Sequence, residues 1–509
     1  MSSERRRLML GIDLGTTALK CAVYDDAGNL VAEKSAEYGL LTPRRNWVEV
    51  DVETYWTALR DVLAALMKQL GSRAARLVSM AISAQGETLV PVDTAGNALR
   101  HAIVWLDNRA ETEAAELQQT FGAQMLARTG QPSMLAAWPA AKVLWLTRHE
   151  PRVAERTARY LLLEDWLIAR LTGEYVSEGS LLTSTCYWDP ATKAYWPEML
   201  EAIGASEAQL PDIVEPGALI GTIRRDVAGE LGLPPALNVC AGALDQACGA
   251  IGAGNIAPGH FSENTGAAVA LCATVGGMTY DPAGAMPCHY HGLADRYMLH
   301  TFTGGGIVLR WFRDKFCSPE MEKAAREGRD SYALLSDMAA GIPAGADGLL
   351  MLPHLQGAMA PENNDEASGV LMGLTLGHDR AHVVRAIMES VGFIVRRNVE
   401  AIEGLGTPIP RVRALGGGAR SPVWKQIEAD ILDRPVATMK HGDAGALGAA
   451  LLGGLGVGVW SDVSEAVSSV VEEDRVFEPN PAHRQIYDDR YGAYLAAYDS
   501  MVPVFGCLK

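Results

Sequence analysis

The strongest constraint on the fold is the segment at residues 8–24, in which two apolar runs flank a tight turn with the sequence Asp-Leu-Gly-Thr-Thr. Both runs predict strands, and a second turn at residues 25–29 leads into a third apolar run. Gly15 permits the first turn to bend sharply, because glycine has no Cβ to clash with the backbone. The sequence therefore predicts that two β-hairpins open the fold.

The first turn also carries groups suited to binding a phosphate and a metal ion. Backbone amides and the hydroxyls of Thr16 and Thr17 are predicted to point at phosphate oxygens, and Asp13 is predicted to face a hydrated Mg²⁺. Lys20 either places a positive charge near the transferred phosphate or lies on the solvated edge of the hairpin. An ordinary hairpin without a ligand is the alternative for so short a motif.

A chain of 509 residues is longer than one hydrophobic core usually supports, so two or more domains are expected. Strand-like and helix-like runs alternate, which predicts an α/β fold, and hairpin turns between neighbouring strands predict a mixed sheet. The predicted strands are residues 77–83, 89–92 and 102–105, and the predicted helices are residues 52–70, 110–119 and 140–148.

Charge and cysteine usage exclude several classes of protein. Acidic residues outnumber basic ones by 61 to 44, and the net charge of −17 disfavours binding to nucleic acid. The eight cysteines are scattered without a Cys-x-x-Cys pair, which predicts neither a zinc site nor a disulfide framework and favours a reducing compartment. Neither a membrane-length apolar run nor the apolar core of a signal peptide is present. A cytoplasmic protein without membrane or nucleic-acid partners is expected.

The middle of the chain is rich in glycine and alanine at residues 241–255, and residues 249–254 are the predicted hinge. Directly afterwards, residues 260–271 repeat the pattern of strand, Thr-Gly turn and strand. The repeat suggests two similar halves, and a coincidental turn is the alternative. Further along, three glycines at residues 416–418 join a strand to a helix and permit close approach by a flat or phosphorylated ligand.

Asp245 and Gln246 lie within this small, apolar stretch, so the Asp245 carboxylate is either buried and paired or presented in a cleft. In a cleft, Asp245 would accept the proton of a hydroxyl that attacks a γ-phosphate, and Gln246 would hold a neighbouring hydroxyl. Asp245 as the N-cap of a helix is the alternative, and the two readings are compatible.

Further polar groups follow strand ends in the first half. Gln85, Gly86 and Glu87 offer an amide and a carboxylate for hydroxyl recognition, and Trp105 with Asp107 suits a polyhydroxylated molecule. The alternative for the second group is a helix start capped by Asp107, with Arg109 solvated.

Together these stretches resemble the FGGY family of carbohydrate kinases, and the likeness runs through nearly the whole chain. Residues 139–146 are similar to the first family signature, and residues 369–374 with 382–389 are similar to the second. The resemblance implies two actin-like (ribonuclease-H-like) α/β domains, at residues 1–250 and 251–509, with the active site in the cleft between them. It also implies ATP and Mg²⁺ as cofactors and leaves a homodimer open as an assembly.

The resemblance carries roles onto individual residues of this sequence. Asp245 matches the catalytic base. The residues matched to nucleotide contacts are Asp13, Thr16 and Thr17 in the first phosphate motif, Thr265 and Gly266 in the second, Gly417 and Gly418 in the adenosine motif, and Gly306 and Arg310 at further contacts.

The acceptor substrate is less well defined. The stretch of residues 352–382 is similar to xylulokinases, whereas Glu87 and Gln246 are similar to glycerol kinases, and Gly86 replaces the arginine of the latter. A small sugar, such as the ketose xylulose, or a polyol with a terminal hydroxyl satisfies both partial matches. The alternatives are a chaperone-like or actin-like ATPase and a catalytically silent sugar sensor on the same fold.

Overall fold

A computed structural model describes residues 6–440 and 443–508 of the chain. The strands are β1 (Leu8–Leu14), β2 (Ala18–Asp25), β3 (Leu30–Glu37), β4 (Glu49–Val50), β5 (Leu77–Ala84), β6 (Leu89–Val92), β7 (Ala102–Ile103), β8 (Arg159–Leu162), β9 (Val176–Glu178), β10 (Trp188–Asp189), β11 (Ala194–Tyr195), β12 (Asp212–Val214), β13 (Leu219–Thr222), β14 (Asn238–Cys240), β15 (Ala243–Leu244), β16 (Phe261–Thr265), β17 (Ala268–Val275), β18 (Cys288–Tyr290), β19 (Tyr297–Gly304), β20 (Leu350–Leu352), β21 (Val370–Met372), β22 (Val412–Gly416), β23 (Val436–Met439) and β24 (Glu473–Phe477).

The α-helices alternate with these strands. They are α1 (Val52–Leu70), α2 (Glu111–Thr129), α3 (Pro139–His149), α4 (Pro151–Arg156), α5 (Leu163–Thr172), α6 (Gly179–Leu182), α7 (Pro197–Ile203), α8 (Arg225–Leu231), α9 (Asp245–Gly252), α10 (Gly306–Phe316), α11 (Ser318–Glu327), α12 (Ser331–Ala340), α13 (Arg380–Gly404), α14 (Pro422–Leu432), α15 (Ala444–Gly456), α16 (Val463–Val470) and α17 (Arg484–Phe505). Short 3₁₀ turns occupy Gly71–Arg76, Thr183–Thr185, Glu207–Gln209, Ala346–Gly348, Gly418–Arg420 and Pro481–His483.

The first large sheet has the order β13-β14-β5-β1-β2-β3, and β15 also pairs with β5. β1 is antiparallel to β2, β2 is antiparallel to β3, and β1 is parallel to β5. The two predicted opening hairpins and the mixed sheet are therefore confirmed. Because β1, β5 and β15 run parallel, their carboxyl ends meet at one edge, and this edge carries Asp13, Gln85 and Asp245.

The second large sheet has the order β18-β19-β17-β16-β22-β23-β24. β16 and β17 form an antiparallel hairpin around Gly266, and β16 is parallel to β22 with Thr265 opposite Gly416. β17 is in turn antiparallel to β19. This is the pairing scheme of β1, β2, β3 and β5 in the first sheet, so the repeat in the sequence corresponds to a repeat in strand topology.

Two helices, α9 and α15, lie between the two sheets. Their apolar residues form one buried cluster with Met9 and Tyr24 of the first sheet and with Cys272 and Met298 of the second. α15 follows β23 of the second sheet in the chain, yet it contacts β1 and β5 of the first. The two halves are thus joined through a shared helical layer.

The glycine-rich segment predicted as a hinge is mostly the buried helix α9 and not a loop, and a hinge at residues 249–254 stays a prediction. Glycine serves here for close packing: a Cβ on Gly252 would lie 2.1 Å from the Ala444 carbonyl oxygen, and one on Gly448 would lie 2.0 Å from that of Cys248. Small residues bring the backbones of α9 and α15 together, and a loop is not required to explain them.

Two smaller features complete the fold around the site. The short strands β4, β7, β6 and β8 form a sheet of their own, with α2 and α3 packed nearby. α1 matches its predicted bounds, whereas α2 extends ten residues beyond the predicted end at residue 119, to Thr129. Within the part of the chain that is described, we find no helix with the length and apolar character needed to span a membrane.

Candidate active site

Asp13 lies at the carboxyl end of β1 and is held from the neighbouring strand. The Ser83 hydroxyl donates to Asp13 Oδ1 at 2.8 Å. Burial and the Asp443 carboxylate raise the pKa of Asp13 to about 6, against the opposing effects of Ser83 and Lys20. Asp13 is therefore a weakly solvated carboxylate that a cation would stabilise in its charged form.

Asp245 is the first residue of α9 and is partly buried at the same edge of the sheet. Its Oδ1 accepts a hydrogen bond of 2.7 Å from the Gln246 backbone amide, while Leu244 occupies the N-cap position. Burial, and then the charges of Asp13 and Glu87, raise the pKa of Asp245 to about 8. Three carboxylates thus share one site, and Asp245 holds its proton more tightly than Asp13 does.

Glu87 follows β5 in a strained conformation, with φ at 56° in the left-handed region. Burial raises the pKa of Glu87, although Ser184 and Lys142 act to lower it. The fully buried Lys142 ammonium donates to the carbonyl oxygens of Glu87 at 2.9 Å and Val104 at 3.0 Å. Lys142 therefore fixes the backbone at two strand ends of the site, a role that its apolar sequence context did not reveal.

Gln85 and Gly86 connect these groups. The Gln85 amide donates to the Gly15 carbonyl at 3.2 Å and to the Tyr55 hydroxyl at 3.0 Å. Its own oxygen is buried and without a hydrogen-bond partner among the residues described. A Cβ on Gly86 would approach Leu244 Cδ1 to 2.9 Å, so a larger residue at that position would have to displace the Leu244 side chain.

Trp105 and Asp107 are placed differently from each other. Trp105 is 39 % exposed, and its indole N–H donates to the Thr16 hydroxyl at 2.8 Å, which joins a predicted substrate residue to a predicted phosphate residue. Asp107 has no exposed surface, and its oxygens accept from Arg109 at 2.8 Å and from the Val48 amide. Asp107 is therefore a buried partner of Arg109 and not a substrate ligand. The expectation that Arg109 is solvated is also wrong, because its side chain is buried in this ion pair.

The residues of the first half that are predicted to bind phosphate surround the Gly15 turn. Thr17 is exposed there and Thr16 is half-buried. The Lys20 ammonium lies 2.6 Å from Asp443 Oδ2 and 3.0 Å from Glu33 Oε2, so it is held at the hairpin edge by two carboxylates. Asp443 was missed in the sequence analysis, although an aspartate just before an apolar helix is a capping signal, and it does cap α15.

The second half contains a pocket of about 660 Å³. Every nucleotide-contact residue predicted in this half lines it, namely Thr265, Gly266, Gly306, Arg310, Gly417 and Gly418. Arg313, Arg420, Tyr332 and Trp424 add cations and aromatic faces to the wall. Thr16, Thr17 and Lys20 belong to the first sheet and are not part of this lining.

Glycine is required at several points of the pocket because the backbones nearly touch. A Cβ on Gly306 would lie 2.3 Å from the Gly266 carbonyl oxygen, and one on Gly418 would lie 2.6 Å from Thr265 Cγ2. The Gly306 amide also donates to the Gly266 carbonyl at 3.1 Å. The hairpin turn, the start of α10 and the loop after β22 therefore form one compact wall.

Comparison with known proteins agrees with this arrangement. The model of the FGGY carbohydrate kinase N-terminal domain matches residues 8–252, and that of the C-terminal domain matches residues 272–457. The chain is 29% identical to a xylulose kinase of Bacillus subtilis, covering 97% of both chains, and 30% identical to a gluconokinase of the same organism, covering 91% and 90%. The chain belongs to the FGGY family of carbohydrate kinases.

Solved structures show the same fold. A xylulose kinase from Rhodospirillum rubrum superimposes with a TM-score of 0.90 at 30% identity, covering 98% of this chain and all of the other. The chain is a carbohydrate kinase with the two-domain, actin-like α/β architecture of this family. Membership in the kinase family excludes the chaperone-like and cytoskeletal alternatives.

Proposed function

We propose that this protein transfers the γ-phosphate of ATP to a hydroxyl of a small neutral sugar or polyol, with Asp245 as the general base and Mg²⁺ as cofactor. The observation that carries the proposal is the position of Asp245, at the end of parallel strands beside Asp13 and Glu87. A carboxylate whose pKa is raised to about 8 is a stronger base than an ordinary aspartate.

The chemical step needs little covalent chemistry from the protein. Asp245 takes the proton of the acceptor hydroxyl while its oxygen forms a bond to the γ-phosphorus, and the bond from that phosphorus to the bridging oxygen of ADP breaks. The rate then depends on holding acceptor and phosphate in line and on neutralising phosphate charge. Trp105, Gln85, Gly86, Glu87 and Gln246 are the residues that we assign to acceptor binding.

The nucleotide is assigned to the pocket of the second half. Its aromatic and glycine-lined walls suit an adenosine, and Arg310 supplies a cation at its rim. The turns at Thr16 and Thr17 in the first half and at Thr265 and Gly266 in the second would receive the phosphates from two sides. Lys20 contributes its charge from the hairpin edge.

The residues at the β1 end fit a hydrated Mg²⁺. Asp13 has one oxygen bonded to Ser83, and within the described residues no group of three or more His, Cys, Asp or Glu side chains is arranged to hold a metal. Mg²⁺ suits such a site because it binds through one or two carboxylates, water and substrate phosphates. When bound there, it would neutralise charge on the phosphates.

Charge favours a neutral acceptor. Glu87 and Asp245 place two carboxyl groups at the acceptor site, and Lys142 and Arg109 are already bonded to protein groups. The carboxylate of an aldonate such as gluconate would be repelled there. We therefore infer a ketose such as xylulose, or a polyol, as acceptor.

Two further expectations stay predictions. They are the division of the chain into domains at residue 250 and a homodimeric assembly. The net charge of −17 supports small-molecule partners over nucleic acid, and we infer a cytoplasmic enzyme from its metabolic substrate.

The test is Asp245→Asn. Removal of the base is expected to lower kcat about 10²- to 10⁴-fold while the protein stays folded. ADP release is measured with ketopentoses, ketohexoses, tetritols, pentitols, glycerol and gluconate. The exposed Asp474→Asn serves as the matched control. A folded Asp245→Asn protein with wild-type turnover would remove Asp245 from the mechanism, and sugar binding without ADP release by the wild type would favour the silent sensor.

A further inference from the structure

A buried group of three charged side chains lies directly behind the nucleotide pocket. Glu263 is on β16, and Lys425 and Glu428 are on α14. Their side chains are between 0 and 2 % exposed. We call these three residues the Lys425 cluster. Such burial is rare for charged residues and requires that each be paired.

Lys425 joins the two elements. Its ammonium lies 2.9 Å from Glu263 Oε2 and 3.1 Å from Glu263 Oε1, and it also donates to Glu428. β16 leads into the Thr265 turn, and the first turn of α14 contains Trp424, which lines the pocket beside Thr265. The ion pair between Lys425 and Glu263 therefore connects two walls of the nucleotide pocket from behind.

Glu263 also holds the turn itself. The Thr265 hydroxyl donates its proton to Glu263 Oε1, so this proton points away from the pocket and is not offered to a phosphate. The methyl side of Thr265 then faces Gly418, where no Cβ is tolerated. Thr265 thus acts as a packed and anchored residue, and its hydroxyl orientation depends on the Glu263 carboxylate.

The two carboxyl groups of the cluster differ in the direction of their pKa shifts. Burial acts to raise the pKa of Glu263, but Lys425 and the hydrogen bonds from Glu428 and Thr265 outweigh it and leave that pKa lowered. Burial, and then the Glu263 charge, raise the pKa of Glu428 well above its usual value. The pKa values of the two carboxyl groups are therefore shifted in opposite directions, and the charged form is favoured at Glu263.

We propose that Glu263 and Lys425 are positioning residues of the nucleotide site, which hold the Thr265–Gly266 turn and the first turn of α14 in the arrangement that binds ATP. This inference rests on the proposed ATP site and adds two residues to it that touch no ligand. Glu428 lies on α14 beside Lys425 and accepts a hydrogen bond from it, so it does not connect the two walls, and an amide oxygen would also accept that bond.

The test compares two Glu→Gln substitutions within the cluster. Glu263→Gln removes the anion that Lys425 and Thr265 require, so the KM for ATP and the Kd for ADP are expected to rise at least about tenfold, with the acceptor KM changed less than about twofold. Glu428→Gln keeps an oxygen that accepts from Lys425 and leaves the link between Lys425 and Glu263 in place, so it is expected to shift these constants less than about twofold. Calorimetry gives the ADP Kd without turnover, and a thermal melt verifies folding.

Thr265→Val is a second test of the inference. It removes the hydroxyl that donates to Glu263 and keeps the methyl group that packs against Gly418. It is expected to weaken ADP binding, and the double variant with Glu263→Gln is expected to bind no worse than the weaker single variant, because both changes break one linkage. Equal effects of the two Glu→Gln substitutions, a parallel rise in acceptor KM, or unchanged ADP affinity in Glu263→Gln would overturn the inference. If the wild type binds no ADP, the proposed function itself fails.

Discussion

At the scale of single residues, Asp245 combines two opposing demands. Its surroundings, with Asp13 and Glu87 nearby, disfavour the charged form and raise its pKa to about 8. Below that pKa the folded protein holds a proton that the unfolded chain releases near the ordinary aspartate pKa of 3.8, so folding stability falls as pH rises between the two values. The proposed base would thus gain strength at the expense of stability, as is common at active sites.

The pH dependence of catalysis follows from the same group. The base must be deprotonated to accept the hydroxyl proton, so kcat/KM for the acceptor is expected to rise about tenfold per pH unit below about pH 8 and to level off above it. Steady-state rates at saturating Mg·ATP across the range from about pH 6 to about pH 10 give the profile. A flat profile through this range would contradict the assignment.

At the scale of secondary structure, two glycines of α9 differ in how closely the neighbouring chain approaches them. Gly252 meets the Ala444 carbonyl, so that a Cβ there would lie at 2.1 Å, whereas a Cβ on Gly249 would meet no atom within 4 Å. The contact places α15 against α9, and through it against the strand end that carries Asp13. Glycine in a helix is otherwise unfavourable, so its presence at residue 252 has a packing reason.

These two positions form a matched pair of tests. Gly252→Ala is expected to lower the free energy of unfolding by about 1–3 kcal/mol, because α9 and α15 must separate to admit the methyl group. Gly249→Ala is expected to leave it unchanged or raise it by up to about 1 kcal/mol through helix propensity. Urea unfolding of both variants measures the difference. Equal destabilisation by the two substitutions would show that the glycines act through flexibility instead.

At the scale of the whole molecule, the ligand sets are divided between two halves. All residues that line the proposed nucleotide pocket lie between Thr265 and Trp424, whereas Asp13, Glu87 and Asp245 lie at the carboxyl ends of strands in the first sheet. In-line transfer requires the phosphate and the acceptor hydroxyl to meet, and exclusion of water protects ATP from hydrolysis. Movement of the halves about their shared helical layer would meet both requirements.

Domain closure is therefore expected when both substrates are bound. Small-angle X-ray scattering of the wild type should show a smaller radius of gyration with ADP and the acceptor together than with either alone, because each ligand by itself contacts mainly one half. The measurement uses the acceptor identified by ADP release. Identical scattering in all states would indicate that the cleft is already closed without ligands.

Several parts of the fold and site were predictable because their cause is local. The Gly15 turn, the hairpin around Gly266 and the bounds of α1 follow from turn chemistry and apolar periodicity over a few residues. The resemblance predicted nucleotide contacts for six residues of the second half, and all six line one pocket in the structure. Short-range signals are reliable when the responsible atoms are close in sequence.

What only the tertiary structure decided concerns partners that are distant in the chain. Asp443 reaches Lys20, Lys142 reaches the carbonyl of Glu87, and Lys425 reaches Glu263 across a sequence separation of 162 residues. The sequence by itself determined the kinase fold and the two Gly-containing hairpin turns, and it predicted the candidate base. Packing of the two halves set the burial and charge around those groups, because desolvation and Coulomb interaction depend on distance in space and not on distance along the chain.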